Sequence, residues 1–148
     1  MNSSYGYTAY LGNDLIYWPL TMTKCVCRSL AESELYAIDK AVTLTIIPVT
    51  RLLNELHIAS THPPMIRCDN QAALDVLNTN KDVKRLKHTR IQIAFLRQEK
   101  QGFENEVTGL STFQTKHVGT KANGADILSP VVFPTTRSLV FNNNSFIA

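Results

Sequence analysis

The stretch Met65-Ile-Arg-Cys68-Asp69-Asn-Gln71-Ala-Ala-Leu74-Asp-Val-Leu77 passes from a short apolar run, through a polar turn, into a run of helix formers. Strand, turn and helix in that order are a building unit of α/β domains. Just upstream, Thr61-His-Pro-Pro64 marks the end of a preceding helix, because proline disfavours helical backbone in the residue before it. That helix carries an apolar stripe at Leu35, Ile38, Val42, Ile46 and Ile47, and it opens with Ser29 and Glu32 at capping-box spacing. Pro48 predicts a kink or break, after which a second piece presents Leu52, Leu53 and Leu56 on one face.

Further out, Tyr5-Gly-Tyr-Thr-Ala-Tyr-Leu11 and Leu15-Ile-Tyr-Trp18 flank Gly12-Asn13-Asp14, which predicts a β-hairpin. Pro19 interrupts the second run, and residues 22–28 continue it as strand after a bend. On the other side, residues 78–87 are polar and basic. From His88 the residues Ile91, Phe95 and Leu96 predict an amphipathic helix that ends at Gly102. Residues 112–118 predict one more strand and residues 123–128 the start of a short helix. The expected domain covers residues 5–128, and residues 129–148, poor in charge and with Asn142, Asn143 and Asn144 in a row, are expected to form a loosely ordered tail. The fold class is α/β with a mixed sheet, and no internal repeat is visible.

The chain has 148 residues, 44% hydrophobic and 18% charged, a composition suited to one domain with a buried core. It holds no apolar run near the ~18 residues that span a bilayer, and its opening lacks the basic and apolar regions of a signal peptide. A membrane partner is not expected. Cys25, Cys27 and Cys68 are odd in number, and the C-x-C pair matches neither zinc nor redox spacing, so the expectation is reduced thiols in an intracellular protein, cytoplasmic or nuclear. A net charge of +3 is compatible with a polyanionic partner without requiring one.

Three acids stand where elements begin or end: Glu34 near the start of the long helix, Asp69 at the carboxyl end of a strand, and Asp126 near the start of the last helix. Active sites of open α/β sheets gather at such places. Carboxylates converging there repel one another unless hard divalent ions bind, and two such ions can stabilise the attacking and leaving oxygens of phosphodiester cleavage. The same positions also serve as caps and as partners of helix dipoles, and spacing alone favours that structural role. Lys81, Lys84, Arg85, Lys87, His88, Arg90 and Arg97 form the densest basic stretch, either a phosphate grip or an ordinary solvated face. His117 reads as a partly buried strand-end residue, and Tyr17 and Trp18 as core or hairpin packing.

Ser29-Leu-Ala-Glu-Ser-Glu34-Leu-Tyr-Ala-Ile38 resembles the S-S-T-E-A-E-Y-x-A-L stretch of the ribonuclease H domain that closes the Pol polyprotein of copia-type retrotransposons, yeast elements included. Cys68-Asp-Asn-Gln-Ala-Ala-Leu74 is similar to that family's C-D-N-Q-S-A-I, and Leu86-Lys-His-Thr-Arg-Ile91 to its T-K-H-I-D-I. His117-Val-Gly-Thr-Lys-Ala-Asn-Gly-Ala-Asp-Ile127 resembles Y-V-P-T-x-x-N-x-A-D-I, and Ile16-Tyr-Trp18 the family's I-S-W. The resemblance implies a ribonuclease-H-like mixed sheet with flanking helices. It implies Glu34, Asp69 and Asp126 as ligands of Mg²⁺ or Mn²⁺, and hydrolysis of the RNA strand of RNA–DNA hybrids during reverse transcription. It also implies a hybrid held by Lys84, Arg85, Lys87, His88 and Arg90, with the reverse transcriptase portion of Pol as a further partner.

The chain departs from that pattern in one consequential way. The family's first catalytic aspartate lies on the first, central strand, upstream of the motif that Ser3-Ser4-Tyr5-Gly6-Tyr7 resembles. The expectation is therefore a domain without that strand, with bare sheet edges on both sides and little or no turnover. Asp14, placed in a hairpin turn, does not replace the missing acid. Pro19, Pro48, Arg90 and Leu128-Ser-Pro130 are further departures. Two other expectations compete: a non-catalytic remnant that binds nucleic acid or Pol, and a pseudogene product with no function.

Overall fold

The computed structural model describes residues 4–12, 14–22, 29–58, 62–79, 89–101, 111–119 and 136–141. They form a mixed α/β fold. Strand β1 (Ser4–Leu11) turns back into β2 (Asp14–Tyr17), and β3 (Leu20–Met22) also pairs with β1. Helices α1 (Leu30–Ala41) and α2 (Ile47–Glu55) follow, then β4 (Met65–Cys68), α3 (Gln71–Asn78), α4 (Arg90–Gln101), β5 (Gln114–His117) and β6 (Thr136–Phe141). The sheet order is β2-β1-β6-β4-β5, with β3 on β1 beside that path. No helix among the described residues is long and apolar enough to cross a membrane.

Local chemistry explains the elements before β4. Leu11 pairs with Asp14 across Gly12, whose φ of 66° suits the tight turn of a hairpin. Asp14 is thus the first residue of β2. A bulge between Ala9 and Tyr10 shifts the register, and the Tyr17 ring meets Tyr7 edge-on at 6.0 Å. Trp18, expected to pack, is 56% exposed among the described residues. Helix α1 starts at the Ser29 cap, whose Oγ accepts from the Glu32 amide at 3.2 Å.

Pro48 splits the long helix, and the structure shows how. Proline has no amide to donate to the carbonyl four residues back, and residues 42–46 widen into a π-turn in which the Ile47 amide reaches Val42 O. α2 then ends in a Schellman motif, with His57 at φ 56° and Ile58 N donating to Leu53 O at 2.9 Å. The π-turn also carries Thr45 to the sheet, where its Oγ1 and the Tyr7 hydroxyl form a buried hydrogen bond of 2.9 Å. Tyr7→Phe is expected to lower stability by about 1 kcal/mol, because the buried Thr45 hydroxyl loses that bond. Tyr7→Phe combined with Thr45→Val should recover most of the loss in urea unfolding; equal losses in the single and double variants would refute the pairing.

The core lies between α1 and the sheet. Leu35, Ile38, Val42 and Ile46 are buried with Tyr7, Ala9, Ile66 and Cys68, so the predicted stripe is the packed face. Helix α4 meets expectation in part: Leu96 is buried and Phe95 packs half-buried against the core, but Ile91 is 86% exposed and Ile93 is buried instead. Arg97, grouped above with the basic stretch, donates from Nε and Nη2 to Val76 O at 3.0 and 2.7 Å, and so holds α4 to the end of α3. Lys100 donates to Asn78 in the same place.

The centre of the sheet departs most from expectation. The expected bare edges are filled among the described residues, because β6 runs parallel to β1 and antiparallel to β4 and pairs with both. Its residues, Thr136–Phe141, belong to the segment expected as a loosely ordered tail. The rest of that segment lies outside the described residues, as do the short helix expected at 123–128 and Cys25 and Cys27.

Candidate metal centre at the end of β4

Two of the three acids singled out by the sequence meet in space. Glu34 lies one turn into α1 and is 2% exposed. Its Oε2 oxygen is shut off from solvent. Asp69 follows the last residue of β4 and is partly buried, in the turn that Asn70 closes by accepting from the Ala73 amide at 3.1 Å. Asn70, rather than Asp69, therefore caps α3. Glu34, Cys68 and Asp69 each offer one ligand atom within 4.8 Å of the others. Asp126, the third acid, lies outside the described residues.

The strand pairing explains how Asp69 is held. β4 and β5 run parallel, with Cys68 beside His117 in register. The ladder continues past the strand end: the Val118 amide donates to Cys68 O at 3.0 Å, and His117 Nε2 lies 3.1 Å from Asp69 O. His117, expected to be partly buried, is exposed and clamps the backbone of the acid. Neither His117 nor Cys68 is among the site residues expected from the sequence. The signal that finds them is the parallel register, which no single stretch of sequence carries.

The donor chemistry fits a hard cation. Two oxygens bound to one ion at about 2.0–2.6 Å lie at most about 5 Å apart, which matches the spacing of the cluster. Two carboxylates so close, one of them buried, repel each other, and a divalent ion removes that cost. Cys68 contributes differently. Burial, above all, pushes its thiol up to about 11; a backbone hydrogen bond from Asn70 opposes the shift and the neighbouring Asp69 charge adds to it. A protonated, soft thiol is a poor ligand for Mg²⁺ or Mn²⁺ and serves here as apolar backing. Glu34 and Asp69 are the residues that would hold the ion.

Most of the expected nucleic-acid contacts fall outside the described residues. Lys84, Arg85, Lys87 and His88 are outside the described residues, while Arg90 is exposed at the first position of α4.

Over 110 residues, 74% of its length, the chain is 33% identical to a segment making up 8% of the retrovirus-related Pol polyprotein from transposon RE2 of Arabidopsis thaliana. Over 110 residues, again 74% of its length, it is 34% identical to 7% of the Pol polyprotein from transposon RE1 of the same plant. The chain thus spans less than a tenth of the length of these relatives. The similarity supports an origin in a retrotransposon Pol polyprotein. No family model and no solved structure matches the chain.

Proposed function

We propose that this chain, related in sequence to retrotransposon Pol polyproteins, is the ribonuclease-H-like portion of a copia-type Pol, built on the chemistry that cleaves the RNA strand of RNA–DNA hybrids. The observation that carries the proposal is the meeting of Glu34 and Asp69 within 4.8 Å at the end of β4, at the two motifs that resemble the family's acid motifs. Asp126 is the third acid by the same resemblance. A bound Mg²⁺ or Mn²⁺ would supply charge stabilisation to the attacking and leaving oxygens of a phosphodiester. Glu34 and Asp69 hold that charge, His117 fixes the Asp69 backbone, and the buried Cys68 keeps water from the inner side of the site.

The chain as it stands is a poor catalyst in this proposal. β6, the strand beside β4 toward the sheet centre, reads Thr-Arg-Ser-Leu-Val-Phe and carries no carboxylate. The cluster therefore gains no acid from its neighbouring strand, and the positioning of two ions by several carboxylates is incomplete. That same feature favours the second reading, a non-catalytic module that binds hybrid through Lys84, Arg85, Lys87, His88 and Arg90.

One set of measurements separates these possibilities. The 148-residue chain is expected to bind Mn²⁺ weakly, with binding lost in Asp69→Asn, and to leave an RNA–DNA hybrid uncut in Mg²⁺ or Mn²⁺. Salt-dependent hybrid binding without cleavage would favour the non-catalytic module. Cleavage that Asp69→Asn abolishes would refute the claim of inactivity, and Mn²⁺ binding that ignores Asp69→Asn would refute the metal site.

A further inference from the structure

The described strands make one sheet only because β6 stands between β1 and β4. On one side it pairs in parallel with β1, from Gly6 with Thr136 to Leu11 with Phe141. On the other, Ser138, Leu139 and Val140 pair antiparallel with Arg67, Ile66 and Met65. Among the described residues β1 and β4 have no pairing with each other. Taking β6 away leaves two half-sheets, β3 and β2 with β1 on one side and β4 with β5 on the other, facing each other with unpaired backbone groups. The β1 edge sits deep in the protein, since Tyr7, Thr8 and Ala9 are buried. Unpaired amides and carbonyls there cost on the order of 1–3 kcal/mol each, so the gap strongly favours an extended segment.

A long stretch of sequence joins the filling strand to the rest of the sheet. The strand is the last described element, and residues 118–135 separate it from β5 at the far edge of the sheet. At about 3.3 Å per residue that length of chain has a contour of roughly 60 Å. The distance it must cover within one sheet is two strand spacings, roughly 10 Å. The connection therefore does not oblige residues 136–141 to enter the sheet of their own chain. Backbone pairing on both sides is also indifferent to which copy supplies the strand.

We propose that the gap between β1 and β4 is a strand-binding site, filled by residues 136–141 of the same chain or, in a paired assembly, by residues 136–141 of a second copy. The two arrangements contain the same strand pairings and differ only in the tether. Their balance then follows the effective concentration of the tethered strand, of roughly millimolar order for a tether of this length.

The test uses two full-length variants. Leu139→Pro removes a ladder amide from the donor strand, and Ile66→Pro damages the acceptor edge. Each alone is expected to exchange the β1 amides on the β6 side, Thr8 among them, at least about tenfold faster than wild type, while the Tyr7 amide, which donates to Pro19 O on the other side, changes less. Refolded together, they should form a heterodimer with one protected set of β1 amides, and wild type refolded at about 1 mM should yield dimer with monomer-like protection. A synthetic peptide of residues 134–143 should bind Leu139→Pro one to one and restore protection, which keeps the test sound if Ile66→Pro does not fold. Wild-type protection in Leu139→Pro alone would overturn the proposal. So would failure of both the mixture and the peptide to restore protection.

Discussion

Phe113→Ala is expected to destabilise the protein by about 3–5 kcal/mol, the range for removing a fully buried aromatic ring. Phe113 is 0% exposed and immediately precedes β5. That strand is at the edge of the sheet, and Gln114, Lys116 and His117 are all exposed, so its own side chains contribute little burial. What fixes it is the ladder to β4 and the residue before it. Gln114 N donates to Pro64 O at 2.8 Å, and Thr112 is tied to Glu99 of α4 through its amide at 3.1 Å and its hydroxyl at 2.8 Å. Phe113 is the apolar anchor between those polar ties. Small domains have roughly 5–15 kcal/mol of total stability, so the loss should be visible as a large fall in the urea midpoint. Phe113→Leu, which keeps most of the volume, should cost less than half as much. In the alanine variant, hydrogen exchange should accelerate first along residues 114–118, and the hold of His117 on the Asp69 backbone should loosen with it. A change below about 1 kcal/mol would show that the ladder alone secures β5.

What the sequence made legible is local in origin. Ser29 and Glu32 mark the start of α1, Gly12 closes the hairpin, and Pro48 predicts the break that appears as the π-turn. Each acts over one turn of chain, so neighbouring residues suffice to read it. The face of α4 is less legible because Ile91, Ile93, Phe95 and Leu96 allow two overlapping stripes, and only the neighbouring elements select Ile93 and Leu96. β6 was least legible. Thr136–Phe141 has an ordinary strand composition inside a weakly charged segment, and its central place depends on pairing with β1 and β4, both distant in sequence. In the site, Glu34 and Asp69 were legible as chemistry at element ends. Their approach, and the roles of Cys68 and His117, follow from α1 packing on the sheet and from the β4–β5 register.

Glu34→Gln is expected to have opposite effects with and without divalent cation, and that reversal separates a metal centre from a structural carboxylate. Without the ion, Glu34 is buried with the Asp69 carboxylate within 4.8 Å, and the neutral amide removes both a buried charge and a like-charge neighbour. Neutralising it should stabilise the metal-free protein by on the order of 1–2 kcal/mol, a gain reduced by whatever hydrogen bonds the charged form makes. Asp69→Asn should gain less, because Asp69 is more exposed and better hydrated. With Mn²⁺ the order inverts. Wild type gains RT ln(1 + [Mn²⁺]/Kd), about 2.7 kcal/mol at a hundred times Kd, while neither variant gains comparably, because each has lost one of two charged ligands. Urea unfolding with and without Mn²⁺ reads both effects from the same samples. If Glu34→Gln lost stability without the ion and wild type gained none with it, Glu34 would be a carboxylate satisfied by the protein's own donors, and the pair would owe its proximity to packing alone.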